Sequence, residues 1–163
     1  MDISFTEINE QNLSEVTRIY NYYVEHSTAT FHLEPITELE MKAMIPFQHN
    51  RYPSYCVMVD KEIIGYCYLS QFRHKEAYDI TAEITLYLSN HSTKKGIGKI
   101  VLNFLEQEAK KLNINNLIAV ITGENEGSVK LFEREGYFKA AHLKKVGLKF
   151  DRLLDVFWYQ KEI

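Results

Sequence analysis

At 163 residues, with 45% hydrophobic and 13% aromatic content, the chain is long enough to bury a real core, and this composition excludes a disordered protein. A net charge of −3 argues against a general binder of nucleic acid or membrane surfaces. No run approaches the length of a membrane span, and the polar start MDISFTEINEQ lacks a signal peptide's apolar core, so a single cytoplasmic domain over residues 1–163 is expected.

Ile3 to Ile8 reads as a short strand. Asn12 follows as a helix N-cap with Glu15 in capping-box spacing, and Leu13, Val16, Ile19, Tyr20, Tyr23 and Val24 then form an apolar helical stripe. A second short helix is expected from Thr37 to Phe47. YCVMVDKEIIGYCYL is two apolar runs broken at Asp60-Lys61, a hairpin signal, and its Cys56 and Cys67 read as buried free thiols. From Ile80 to Leu88 the pattern alternates: Ile80, Ala82, Ile84, Leu86 and Leu88 take one face, while Thr81, Glu83, Thr85 and Tyr87 take a non-core face.

The next helix carries Ile97, Ile100, Val101, Phe104, Leu105 and Leu112 as its stripe, with Glu106, Gln107, Glu108, Lys110 and Lys111 on the other face. NLIAVIT is an apolar run suited to a strand covered on both faces. Strand, helix and strand in that order imply a right-handed crossover and a parallel pair. A short helix from Glu126 to Glu135 stops at Gly136, and strands at 137–145 and 153–160 complete the chain. The six histidines are scattered without metal-ligand spacing, so no metal is expected.

The front of the crossover helix, STKKGIGK, gathers Lys94, Lys95 and Lys99 at the positive pole of the helix, where cations are mildly destabilising and anions are favoured. The residues alone leave two readings open, a solvated basic turn or an anion site in which Gly96 and Gly98 admit a ligand to bare N–H groups. A P-loop is excluded, since Thr93 and Ile100 stand where glycine and Ser or Thr are needed around Gly98-Lys99. A dinucleotide fingerprint fails at Val101.

The element order and TKKGIGK resemble the GNAT superfamily of N-acetyltransferases, whose motif is Gln/Arg-x-x-Gly-x-Gly/Ala. More narrowly, STATFHLEPIT (27–37), FRHKEAY (72–78), AEITLYL (82–88), AVITGENEGSVKLFEREGY (119–137) and KKVGLKFDRLLDV (144–156) are similar to the phosphinothricin and methionine sulfoximine acetyltransferase family. Thr93 departs from the motif's Gln/Arg. The resemblance implies an α/β (α+β) GNAT fold: a mixed, mostly antiparallel sheet with helices on both faces and a parallel crossover at the acetyl-CoA site. It implies acetyl-CoA as co-substrate, with its pyrophosphate on the N–H groups of Lys94, Lys95, Gly96, Ile97, Gly98 and Lys99. Its pantetheine arm would lie along Leu86, Tyr87 and Leu88, with Asn125 and Ser128 contributing further bonds.

Taken alone, Glu83 reads as a solvated strand carboxylate and Arg73 as an exposed loop arginine. The resemblance makes Glu83 the base that takes a proton from the substrate amine, Leu86 N–H the group that polarises the acyl carbonyl, and Arg73 a fork for a substrate carboxylate, with Phe31 and Tyr78 walling the pocket. It implies a small amine or amino-acid substrate of the phosphinothricin or methionine sulfoximine and sulfone type, and a homodimer in which VGLKF approaches the partner's site. Acetylation of a peptide N-terminus or a polyamine, and a non-catalytic acyl-CoA-binding module, are the alternatives. Phe132 stands where the superfamily often has tyrosine and the phosphinothricin enzymes have histidine, groups that can protonate a departing thiolate.

Overall fold

The structure, a computed structural model, describes residues 2–93 and 95–163. In chain order the elements are β1 (Ile3–Glu7), α1 (Leu13–His26), α2 (Glu38–Met44), β2 (Ser54–Val59), β3 (Glu62–Gln71), β4 (Thr81–Leu88), α3 (Ile97–Lys111), β5 (Asn116–Thr122), α4 (Glu126–Arg134), β6 (Phe138–Lys149) and β7 (Arg152–Glu162). Among the described residues the strands form one seven-stranded sheet ordered β1-β2-β3-β4-β5-β7-β6. Its pairs are antiparallel except β4 with β5, which α3 connects as a parallel crossover. Among the described residues no helix is long and apolar enough to cross a membrane.

Period-two alternation distributes the apolar side chains to both faces of the sheet. Cys67, Leu69, Ala82, Ile84 and Leu88 pack under α3 and α4 with Ile97, Val101, Leu105 and Phe132. Their neighbours Cys56, Tyr66 and Tyr68 pack on the other side under α1 and α2, against Leu13, Val16 and Met41. Each Leu- or Ile-sized side chain buried in this way contributes roughly 1.5–3 kcal/mol, so the stripe of α3 is enough to fix that helix to the sheet. The β2–β3 hairpin closes on Asp60 and Lys61, both at positive φ (49° and 70°), the conformation that a two-residue turn needs to match strand twist. Cys56 and Cys67 are buried and free.

Several local expectations change in the folded chain. Asn12 precedes α1, but its Oδ1 accepts from Asn9 N–H at 2.8 Å and its Nδ2 donates to Glu7 O at 3.1 Å, while Glu15 pairs with Arg18 instead of closing a capping box. The capping box occurs at α2, where Thr37 Oγ1 accepts from Glu40 N–H at 3.2 Å and Glu40 accepts from Thr37 N–H at 2.7 Å. That helix stops at Met44, short of Phe47.

Ile80 lies before β4 and Ile100 on the outer side of α3, and both are exposed. Glu106, expected on the solvated face, is buried with its carboxylate on Lys161 Nζ at 2.8 and 2.9 Å. Val120 is exposed within β5, and β6 and β7 extend toward each other as far as Lys149 and Arg152. The Glu83 face of β4 is not solvated either, because Tyr87 packs with Tyr20 and Tyr66.

Candidate active site

The site starts where the parallel ladder ends. Thr81 to Glu83 pair with Asn116 to Ile118, after which β4 and β5 continue on separate courses. A cleft of about 820 Å³ opens between them, bordered by Leu86 and Leu88, by Val120 and Thr122, and by the facing ends of α3 and α4. Ser89 N–H donates to Ile64 O on the β3 side at 2.7 Å, so strand alternation turns the main-chain groups of Leu86 and Leu88 toward the cleft. Those of Tyr87 turn toward Tyr66 on β3, and Tyr87 therefore lines the cleft without offering it the backbone pairing expected from the sequence. Leu88 O also accepts from the Tyr23 hydroxyl.

At one end of the cleft Gly96 caps α3 at φ +76°, a conformation that suits glycine, and the N–H groups of Ile97, Gly98 and Lys99 form the first helical turn. Lys95 is exposed, and Lys94 lies outside the described residues. The Lys99 ammonium is 3.5 Å from Glu135, so this side chain already has a counter-charge. Gly98 lines the cleft and also has a packing role. A Cβ there would lie 2.8 Å from Leu131 Cδ2, so the bare Cα is what lets α4 approach α3.

Asn125 caps α4 by accepting from Ser128 N–H at 3.2 Å, which gives both residues a structural role on the cleft wall. Lys130 and Arg134, one turn apart on α4, also line it. They were missed in the sequence, although two basic residues at i and i+4 beside a glycine-rich turn are a readable signal. Thr93 borders the cleft too, its hydroxyl donating to Asn90 O at 3.2 Å. Phe132 is buried, edge-on to Tyr137 at 4.9 Å, and presents hydrocarbon to the cleft.

The other candidate residues gather around Glu83, on the face of β4 that Thr85 and Tyr87 of the cleft share. Glu83 is half-buried, and burial raises its carboxyl above the ordinary range while the Arg73 charge pulls it partly back. Arg73 is exposed, with Nη1 on Phe72 O at 2.8 Å and its guanidinium over the rings of Phe72 and Trp158 at 4.5 and 5.6 Å. Tyr78, also exposed, meets Phe72 edge-on at 5.6 Å. Phe72 and Trp158 thus belong to the site, although nothing in the local sequence pattern marks Trp158.

Phe31 lies further along, with its ring pressed on Gly147 so closely that a Cβ there would fall 2.3 Å from Phe31 Cε2. The VGLKF segment therefore contacts the loop that carries Phe31 in its own chain. From that segment Lys149, only 2% exposed, donates to Thr30 O at 2.9 Å, and burial lowers its pKa.

This geometry has close relatives. The acetyltransferase (GNAT) domain family matches residues 6–158. A phosphinothricin N-acetyltransferase of Streptomyces coelicolor is 31% identical over 159 residues, covering 94% of this chain and 92% of its own. An L-methionine sulfoximine/L-methionine sulfone acetyltransferase of Salmonella typhimurium is 26% identical, covering 100% and 95%. The crystal structure of a GNAT superfamily phosphinothricin acetyltransferase from Sinorhizobium meliloti in complex with AcCoA superposes with a TM-score of 0.93 at 31% identity, over 100% of this chain and 89% of that one. With fold, cleft and sequence in agreement, the chain belongs to the GNAT family of acetyltransferases.

Proposed function

We propose that the chain is a single acetyltransferase domain that transfers an acetyl group directly from acetyl-CoA to the amine of a small amino acid or analogue of the phosphinothricin, methionine sulfoximine or methionine sulfone class, with Glu83 as base. The observation that carries this reading is the position of Glu83. It is the last residue of β4 paired to β5, so its carboxylate sits at the fork from which the cleft opens, half-buried and next to Arg73.

The cleft suits the co-substrate because it offers strand-edge donors and acceptors along its length and a helix N-terminus at one end. Leu86 and Leu88 would hold the extended arm of acetyl-CoA by their main chain, Gly96 to Lys99 with Lys95 its phosphates, and Asn125 and Ser128 the opposite side. When bound, acetyl-CoA supplies an acyl thioester that an uncharged amine can attack. Glu83 makes the amine uncharged by taking its proton, directly or through water, and the raised pKa strengthens it as a base near neutral pH. Leu86 N–H donates to the acyl oxygen, stabilising the charge that develops there. Arg73 binds the substrate carboxylate as a two-pronged fork, and Phe31 and Tyr78 border the side chain.

CoA release measured across phosphinothricin, methionine sulfoximine, methionine sulfone, a peptide N-terminus and a polyamine tests the reading. Turnover with the amino-acid analogues is expected. Preference for the peptide or polyamine would move the substrate class, and no release with any of them alongside tight acetyl-CoA binding would leave a binding module.

A homodimer belongs to the same proposal. Val146, Leu148, Phe150 and Leu153 are each more than half exposed around the tip of the β6–β7 hairpin, at the outer edge of the sheet, and a second copy would cover them. Sedimentation at micromolar concentration is expected to give twice the chain mass.

A further inference from the structure

The loop at residues 28–31 carries Ala29 to the cleft and Phe31 to the amine side, and it is tied from several directions. Ala29 O accepts from the Tyr87 hydroxyl at 3.3 Å and Thr30 O from Lys149 Nζ at 2.9 Å. The ties at Thr28 differ in where they lead. Thr122 Oγ1 donates to Thr28 O at 2.5 Å, and Thr28 Oγ1 donates to Glu124 Oε1 at 2.7 Å. Glu124 in turn holds the Arg152 guanidinium on both oxygens, at 2.6 and 2.9 Å. Thr122 and Glu124 flank the turn that leads to Asn125, the α4 cap on the cleft wall, and Arg152 opens β7. One carboxylate thus joins the substrate loop, the cofactor turn and the β6–β7 hairpin.

We propose that Glu124, with Arg152 and Thr28, is a positioning clamp for the transfer reaction, holding the 28–31 loop at a fixed distance from the 122–125 turn so that amine and thioester meet in register. This rests on the assignment of acetyl-CoA to the cleft and of the amine substrate to the Glu83 side. Glu124 lines neither site, and its pair with Arg152 is well exposed, so global stability depends on it little. Its geometry is nonetheless specific: a bidentate fork plus a hydroxyl donor from a threonine that is 7% exposed. These bonds hold the Glu124 carboxyl at about 2, so the clamp is fully charged at any working pH.

Hydrogen exchange and steady-state kinetics on Glu124→Ala, Glu124→Gln and Thr28→Val test the clamp. In Glu124→Ala and Thr28→Val, the amides of residues 28–31 should exchange at least tenfold faster while strand amides stay unchanged. The KM for methionine sulfone should rise about fivefold, and kcat should fall several-fold as amine and thioester lose their register. Glu124→Gln keeps an acceptor for Thr28 but loses the two-pronged hold on Arg152, and should recover only part of both effects. Unchanged exchange at 28–31 in Glu124→Ala would overturn the clamp, and so would faster exchange with no change in KM. A wild-type chain inactive on every amine would overturn the functional reading, and exchange with and without CoA would still decide whether Glu124 holds the loop.

Discussion

The two sides of the site are built from different materials. On the cleft side the groups offered to a ligand are mostly main chain: Leu86 and Leu88 along the strand, the first turn of α3 behind Gly96, and the turn capped by Asn125. Around Glu83 they are side chains from separate elements, with Arg73 and Phe31 on the loops after β3 and α1, and Glu83 and Trp158 on β4 and β7. Backbone geometry survives most substitutions, so the cleft side suits a ligand that never changes. A loop side chain can be exchanged without disturbing the sheet, so on the proposed function specificity would be set on the amine side.

Substitutions on the two sides should therefore separate cleanly, and the largest effect is expected at Glu83. Glu83→Gln should reduce turnover by roughly 10²–10⁴ while leaving the rise in melting temperature with acetyl-CoA intact. Because burial raises the Glu83 pKa in the folded chain, folding favours its protonated form, and stability falls as pH climbs from the ordinary carboxylate value through the raised one. Glu83→Gln removes that loss, so at neutral pH the variant should melt no lower than the wild type. A mutant with near wild-type turnover would remove Glu83 from the mechanism.

Next in size, Arg73→Gln should raise the amine KM by about 10- to 100-fold, the equivalent of one charge-assisted hydrogen bond of about 1.5–3 kcal/mol, and leave the acetyl-CoA KM alone. Arg73 opposes the burial effect on Glu83, so removing its charge should also move the acid limb of the pH–rate profile to higher pH. An effect confined to acetyl-CoA would place Arg73 on the wrong side of the site.

A smaller effect distinguishes packing from ligand contact inside the cleft. Gly98→Val should weaken acetyl-CoA binding by forcing Leu131 aside, and the double variant with Leu131→Ala should recover most of the affinity. If the double variant stays as weak as the single one, the valine is blocking the ligand itself. The smallest change is expected at Phe132. Phe132→Tyr should alter turnover less than about tenfold, or about 1.4 kcal/mol in barrier, since a thiolate from a thiol of pKa about 8.5 leaves without a side-chain acid. Burying the new hydroxyl beside Tyr137 should lower the melting temperature slightly. A gain of a hundredfold at unchanged stability would show that proton delivery limits the wild type.

What the sequence revealed and what it hid follow one physical line. The β4–α3–β5 crossover, the Asp60-Lys61 hairpin and the α1 stripe were legible because each is written in neighbours a few residues apart. Glu106 read as solvated because its partner Lys161 lies 55 residues on, and the packing role of Gly98 was hidden because Leu131 arrives only with α4. The capping box expected at Asn12 was lost to competition from Asn9 and Glu7, local groups that the spacing rule does not weigh. Lys149 in the shelter of Thr30 and Trp158 beneath Arg73 depend on the hairpin folding back across the molecule. Glu83 and Arg73 were assigned to one site only through family resemblance, since nothing in their spacing brings them together, and in the folded chain the charge of one acts on the other.

The parting of β4 and β5 has a consequence for how the protein survives without a ligand. A strand that loses its neighbour becomes an edge, and bare edges recruit other chains. Here both new edges lie in the middle of the sheet, with Leu131 and Phe132 of α4 on one flank and Tyr23 and Ala29 on the other. A slot walled in this way excludes a foreign strand, which would bring side chains on both faces, and admits a slender molecule that brings none. The fold thus carries an unfinished sheet at its centre without the aggregation hazard that an unfinished sheet normally presents.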